Sequence, residues 1–279
     1  MIKTLYLEKV DKPNFMFQKL KIEQDNCKIY ANLEKEKNIK KVVAKIAKAE
    51  INAVVLSKEL KSNIRLINEL NSANIHIFDG RWLEKYLTYE ILEFILKQKN
   101  QKKEETELAI TTNEITDSCI QIIKTLAKQY KRVTVVTNHL NKLRKIEKEL
   151  YDEYGILILV SNNQKKSLAK AQLILNMDFN KEVLNKYKIN ENAVILNLEG
   201  DMIIYNKRFN GTNVNNYEIE VGREEIIWRT NMNKFETKEL LEAFLYMKDT
   251  FDNIRAKIGK YKVLVQEIYG INGKIERFS

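Results

Sequence analysis

Between Glu107 and Glu199 the chain runs through five short, nearly continuous apolar stretches, ELAIT, RVTVVT, ILILV, QLILNM and AVILNLE, separated by segments with helical spacing. Strands that are apolar on both faces cannot stand at a water surface, so they belong in a parallel sheet covered by helices on each side. This is the doubly wound α/β pattern. The segment EITDSCIQIIKTLAKQY repeats Ile115, Cys119, Ile122 and Leu126 at helical intervals, and HLNKLRKIEKELYDEYG sets Leu140, Leu143, Ile146 and Leu150 on one face. Shorter helices are expected at KKSLAKA and EVLNKYK.

The first 80 residues alternate in the same way, with strand-like TLYLEKV, CKIYANL, NAVVLS and NIHIFDG and helical NIKKVVAKIAKAE and IRLINEL. We therefore expect an N-terminal α/β domain over residues 1–80, a linking helix and boundary over 81–104, a Rossmann-like domain over 105–215 and a mostly helical segment over 216–279. The linking helix carries Trp82, Tyr86, Leu87, Ile91, Leu92, Phe94 and Ile95 on a wide apolar arc suited to burial. The polar run KQKNQKKEE closes it. Beyond Asp201, MIIYN and YEIEVG read as strands around a turn at RFNGTNVNN, and TKELLEAFLYMKDTFDNIRAK reads as one or two helices.

Composition excludes several chemistries. Cys27 and Cys119 match no metal-ligand spacing, and with only His76 and His139 in the chain no multi-histidine centre is expected. No apolar run approaches the roughly 20 residues that span a bilayer, and the start MIKTLYLEK has no signal-peptide core. We expect a cytoplasmic protein with no membrane partner. The net charge of +10 favours phosphate-rich partners, yet lysines alternate with glutamates, as at Lys145 and Glu149, so the excess is spread along solvated faces.

Three segments carry a family resemblance. FDG at 78–80 before a long helix is similar to the TDG of shikimate dehydrogenases, VVTNHLNKL resembles the turn after their second Rossmann strand, and AKAQLILNMDF resembles the end of their fourth. Residues 78–200 thus resemble the NADP-binding domain of the shikimate dehydrogenase and glutamyl-tRNA reductase type. The resemblance implies an amino-acid-dehydrogenase-like N-terminal domain, a dinucleotide at the carboxyl edge of the sheet, and Asp79 as a substrate-binding residue. Two of the family's features are missing. Thr111, Thr112 and Asn113 stand in place of the glycine-rich turn, and nothing around Lys58 and Lys61 spells the family's catalytic lysine motif.

In a Rossmann turn, glycines let the backbone approach a pyrophosphate, which is held by bare amides at the helix start. Here Thr111 and Glu114 have the spacing of a capping box, which would satisfy those amides internally. Asn138 and His139 follow the second strand, where an acid would select NAD; none is present, and Lys142 and Arg144 lie within a turn, so a bound dinucleotide would be NADP. The competing expectation is that Asn138 caps the next helix. Asp79 likewise precedes a helix as a preferred cap, and Cys119 reads as a core residue.

The resulting expectation is a non-catalytic, degenerate Rossmann-like protein acting as a structural, regulatory or partner-binding module, with no cofactor. Its partner would be another protein or a small ligand, and a homo-oligomer is compatible with the pattern. The alternative is an atypical NADP-dependent oxidoreductase, with Thr111, Thr112, Asn113, Asn138, His139, Lys142 and Arg144 on the cofactor and Asp79 on the substrate. A nucleic-acid-binding role rests on net charge alone.

Overall fold

The computed structural model describes residues 4–9, 20–23, 26–29, 33–202, 204, 208–222, 237–246 and 249–278, the stretches 20–23 and 26–29 by backbone only. The chain forms two compact α/β units, Met1–Leu83 with Arg223–Asp249, and Glu84–Gly222 with Thr250–Ser279.

In the first unit, strands β1 (Thr4–Lys9), β2 (Leu20–Glu23), β3 (Asn26–Ile29), β4 (Ala53–Leu56) and β5 (His76–Phe78) form a sheet in the order β2-β3-β1-β4-β5. All neighbours are parallel except the β2–β3 pair. Side chains alternate across a strand. Leu5, Leu7, Val54 and Leu56 therefore pack on Ile39, Val43 and Ile46 of helix α1 (Glu36–Lys48) and on Leu66 and Leu70 of α3 (Ile64–Ser72). Tyr6, Ala53, Val55 and Phe78 fall on the opposite face against Leu240 and Ala243 of α8 (Thr237–Leu245). Between β4 and α3 lies one helical turn, α2 (Lys58–Lys61).

Helix α4 (Arg81–Gln98) leads into the second unit. There β6 (Glu107–Thr111), β7 (Arg132–Val136), β8 (Ile158–Ser161), β9 (Leu173–Asn176), β10 (Val194–Asn197) and β11 (Thr212–Val214) form a wholly parallel sheet in the order β11-β10-β9-β6-β7-β8. Counted from β6, this is the strand order 3-2-1-4-5-6 of a Rossmann sheet, with its switch point between β6 and β9. Helix α5 (Asp117–Ala127) buries Cys119, Ile122, Ile123 and Leu126, and α6 (Leu140–Tyr154) buries Leu143, Ile146 and Leu150. The period read over α6 holds, and that over α5 holds from Cys119 onward, Ile115 lying before the helix; each follows an apolar stripe that the sheet covers.

Three local expectations need correction. KKSLAKA forms turns instead of a helix. The Asn163 side chain accepts from the amides of Lys165 and Lys166, and Ser161 and Ser167 join through their hydroxyls, bonds that compete with helical pairing. EVLNKYK yields only the single turn α7 (Lys181–Leu184). The expected turn RFNGTNVNN contains strand β11, so the sheet gains a sixth member. MIIYN lies largely outside the described residues.

The C-terminal stretch holds α8 and α9 (Phe251–Lys260) as two helices, and also the antiparallel strands β12 (Asn216–Val221), β13 (Val263–Gly270) and β14 (Gly273–Lys274). Among the described residues of 216–279 strands stand beside the helices: Tyr217, Ile219 and Val221 alternate inward with period two, which a strand satisfies and a helix does not. Asn215 at the end of β11 donates its amide to the Tyr269 carbonyl of β13.

Gly211 marks the tightest approach in this sheet. A Cβ there would stand 2.1 Å from the Ala193 carbonyl oxygen, which already accepts from the Thr212 amide. Gly211→Ala should lower unfolding free energy by about 3 kcal/mol, since neither backbone can give way. Urea denaturation with an unchanged slope would report it.

Candidate functional site

The carboxyl edge of a doubly wound sheet, at its switch point, is where such folds bind ligands. In this chain that edge is where β6 ends at Thr111 and β9 at Asn176, residues paired in register. Beyond Thr111 the chain does not enter a helix at once. The Thr112 amide donates to the Val136 carbonyl, and α5 begins only at Asp117, with Thr116 as its cap accepting from the Cys119 amide at 3.3 Å.

The capping box expected from Thr111 and Glu114 therefore does not form. Thr111 is the last residue of the strand, and Glu114 lies before the helix instead of in its first turn. The turn's amides are satisfied by a different carboxylate. Asp178, two residues past the end of β9, receives the Asn113 amide at 2.7 and 2.8 Å, the Glu114 amide at 2.6 Å and the Thr112 hydroxyl at 2.9 Å. Adjacent amides converging on one anion form the cradle that a phosphate uses in nucleotide-binding turns. The Asp178 carboxylate fills it. An incoming phosphate would have to displace a fixed negative charge as well as enter past two threonine side chains that are wholly buried.

Deeper in the same edge, a ladder of amides crosses four strands. The Thr111 hydroxyl donates to Asn176 Oδ1 at 2.6 Å, Asn176 Nδ2 donates to Asn197 Oδ1 at 3.2 Å and to the Phe179 carbonyl at 2.8 Å, and Asn197 Nδ2 donates to Asn215 Oδ1 at 2.8 Å. Asn215 Nδ2 ends the run on the Met202 carbonyl. All four side chains are buried. A closed network of this kind is stable because each member has its partner, and it leaves few polar groups for a ligand. Cys119 lies beside it, with Sγ 3.5 Å from the Thr112 hydroxyl; burial pushes its thiol up to about 11, with the Asp178 charge adding to the rise, so it is a protonated core residue at neutral pH.

After β7 the cap of α6 is His139, which makes no side-chain cap bond, and not Asn138. The Asn138 amide is held by the Asn113 side chain at 3.0 Å, which draws the residue back toward the first turn and off the helix axis. Asn138, His139, Lys142 and Arg144 are all exposed. Thr111 and Thr112 are interior, Asn113 is half-buried, and the Asn113 side chain joins the two turns.

Asp79 lies in the first unit, exposed at the start of α4, where it accepts from the Arg81 amide at 3.0 Å. The neighbouring amides of Gly80 and Trp82 donate instead to Glu242 of α8, at 2.6 and 2.8 Å. Gly80 has φ +87°, and an added Cβ would meet the Lys238 side chain at 2.9 Å, so both its conformation and its space require glycine. Burial pushes the Glu242 carboxyl up to about 7, helped by Asp79 and opposed by its backbone donors. Next to it on the helix, the buried Glu239 pairs with Lys61 at 2.6 Å. Nothing in the sequence reading pointed to Asp178 or Glu242, which act on amides 64 to 65 and 160 to 162 residues away.

Among the described residues there is no cluster of three or more His, Cys, Asp or Glu that could hold a metal ion, and no helix is long and apolar enough to cross a membrane. No family model and no curated protein matches the chain. Solved structures similar to it include a shikimate dehydrogenase in complex with NADP+, at 12% identity over 85% of this chain and 86% of that one, with a TM-score of 0.35. An anabolic ornithine carbamoyltransferase from Campylobacter jejuni matches at 10% identity over 90% and 88%, TM-score 0.32. The L-tryptophan dehydrogenase of Nostoc punctiforme matches at 7% identity and TM-score 0.32, and the chain spans about half of it, 49%, against 61% of its own length.

Two substitutions probe the carboxylates. Asp178→Ala should cost about 1–2 kcal/mol, because the site is part-exposed and water replaces some of the lost bonds, and should let inorganic phosphate stabilise the variant but not the parent in a thermal-shift titration. For Glu242 the folded carboxyl binds its proton more tightly than the unfolded one, whose ordinary value is 4.5. Its contribution to stability is thus full below pH 4.5 and is lost as pH rises to about 7, by about 3 kcal/mol. Denaturation at pH 5 and pH 8 should show this loss in the parent and not in Glu242→Gln.

Proposed function

We propose that this chain is a non-catalytic, Rossmann-like module with a structural, regulatory or partner-binding role, whose dinucleotide turn is occupied by its own side chains. The observation that carries this reading is the Asp178 carboxylate on the amides of Asn113 and Glu114. The buried amide ladder through Asn176, Asn197 and Asn215 supports it, since the edge that would receive an adenine dinucleotide is already closed by satisfied polar groups. The absence of a family-type lysine motif around Lys58 and Lys61 points the same way.

The competing reading is an NADP-dependent oxidoreductase in which Asn138, His139, Lys142 and Arg144 hold the 2′-phosphate. Its support is the exposed, acid-free turn after β7. Asp79 would serve the substrate, but its carboxylate is engaged with the start of α4.

Titration with NADPH, NADP+, NADH and NAD+ separates the two. A ligand at about 100 times its Kd adds about 2.7 kcal/mol, which in a protein of this size raises Tm by about 5–10 °C. The non-catalytic reading expects no shift with any of the four. A shift with the 2′-phosphorylated forms alone, abolished by replacing Lys142 and Arg144 with alanine, would overturn the occupied-turn reading and favour the NADP-dependent alternative.

A further inference from the structure

Of the seven large hydrophobic side chains most exposed among the described residues, four fall within one short stretch: Tyr151 at 56%, Tyr154 at 51%, Leu157 at 72% and Leu159 at 59%. The tyrosines stand on the last turns of α6 and the leucines lead into and along β8, against which α6 packs. Ile158 is buried and its two neighbours are not, so Leu157 and Leu159 share the face of the strand that points away from the core. A helix between β8 and β9 is absent, residues 164–170 forming turns and bends.

β8 is also the open end of the six-stranded sheet. At the other end, the residue that follows β11 is tied to β13 through the Asn215 amide and the Tyr269 carbonyl. Among the described residues no strand pairs with the outer side of β8. Edge strands in soluble proteins are normally guarded by lysine, proline or a bulge. Residues 154–164, YGILILVSNNQ, contain no Lys, Arg, Asp, Glu or Pro, and they are the longest charge-free run in a chain of net charge +10. Two copies of a basic chain repel one another least where neither brings charge to the contact, as at this run.

We propose that β8 is a self-association edge, at which two copies of this chain pair antiparallel through a two-fold axis and join their six-stranded sheets into one. A pairing centred on Ile158 sets Leu157 of one copy opposite Leu159 of the other on the same face, covering the bare leucines, and lets the two Ile158 backbones exchange hydrogen bonds; the amides of Gly155 and Ile156 stay with the carbonyls of Tyr151 and Leu150. Such an interface is self-complementary, as a two-fold dimer requires. The inference is independent of the state of the dinucleotide turn.

Sedimentation velocity over a concentration series tests it. The parent chain should approach twice the monomer mass, and the double variant Leu157→Lys, Leu159→Lys should remain monomeric with an unchanged circular dichroism spectrum, both sites being exposed. Ile64→Lys, at an equally exposed position in the first unit, should leave the dimer intact. Hydrogen exchange on the unaltered chain gives a second reading, in which amides of Ile158–Ser161 gain protection as concentration rises. A parent that stays monomeric, a dimer that survives the double lysine variant, one lost equally in Ile64→Lys, or β8 protection independent of concentration would overturn the proposal.

Discussion

Backbone amides that leave the ladder at the carboxyl edge of a parallel sheet must find an acceptor, and the rest of this structure depends on how they find one. In the second unit the acceptor is Asp178. Its carboxylate holds the Asn113 and Glu114 amides, Asn113 in turn holds the Asn138 amide, and the two turns on either side of β6 and β7 are thereby fixed to one another. The delayed start of α5, the interior position of Thr111 and Thr112, and the closed amide ladder beneath all follow from a turn that is anchored from above by its own chain.

The first unit solves the same problem in the same manner. The start of α4 offers its amides, and Glu242 reaches from α8 to take those of Gly80 and Trp82. The difference is depth. Glu242 is almost wholly buried, and desolvation there outweighs its hydrogen bonds enough to raise its proton affinity, whereas Asp178 is half-buried. In both units a place with the positive character suited to an anion is kept by a side-chain carboxyl group, and the proposed binding or scaffolding role rests on the one at Asp178.

At the far edge of the six-stranded sheet no described strand takes up the outer backbone groups of β8. Ser161, Asn163 and Ser167 spend their side chains on local bonds, the segment after β8 stays in turns, and Leu157 and Leu159 are left without cover. A connection without a helix thus lies beside a bare apolar edge, which links a local competition for hydrogen bonds to the proposed pairing of two copies.

The sequence by itself determined the α/β class, the parallel second sheet, and the helices α1, α3, α5 and α6, because each follows from a repeat of apolar residues at a period of two or 3.6 that neighbouring positions carry. It also contained the absence of turn glycines at Thr111, Thr112 and Asn113, and so the statement that the phosphate turn is altered. Tertiary structure decided what replaced the phosphate. Glu114 was the carboxylate close in sequence, but Asp178 reaches the turn because β9 lies beside β6, and that adjacency is a crossover no local pattern encodes. Glu242, β11 and the exposed edge of β8 were invisible for the same reason: a partner, or the lack of one, is set by which strands and helices become neighbours after the chain has folded.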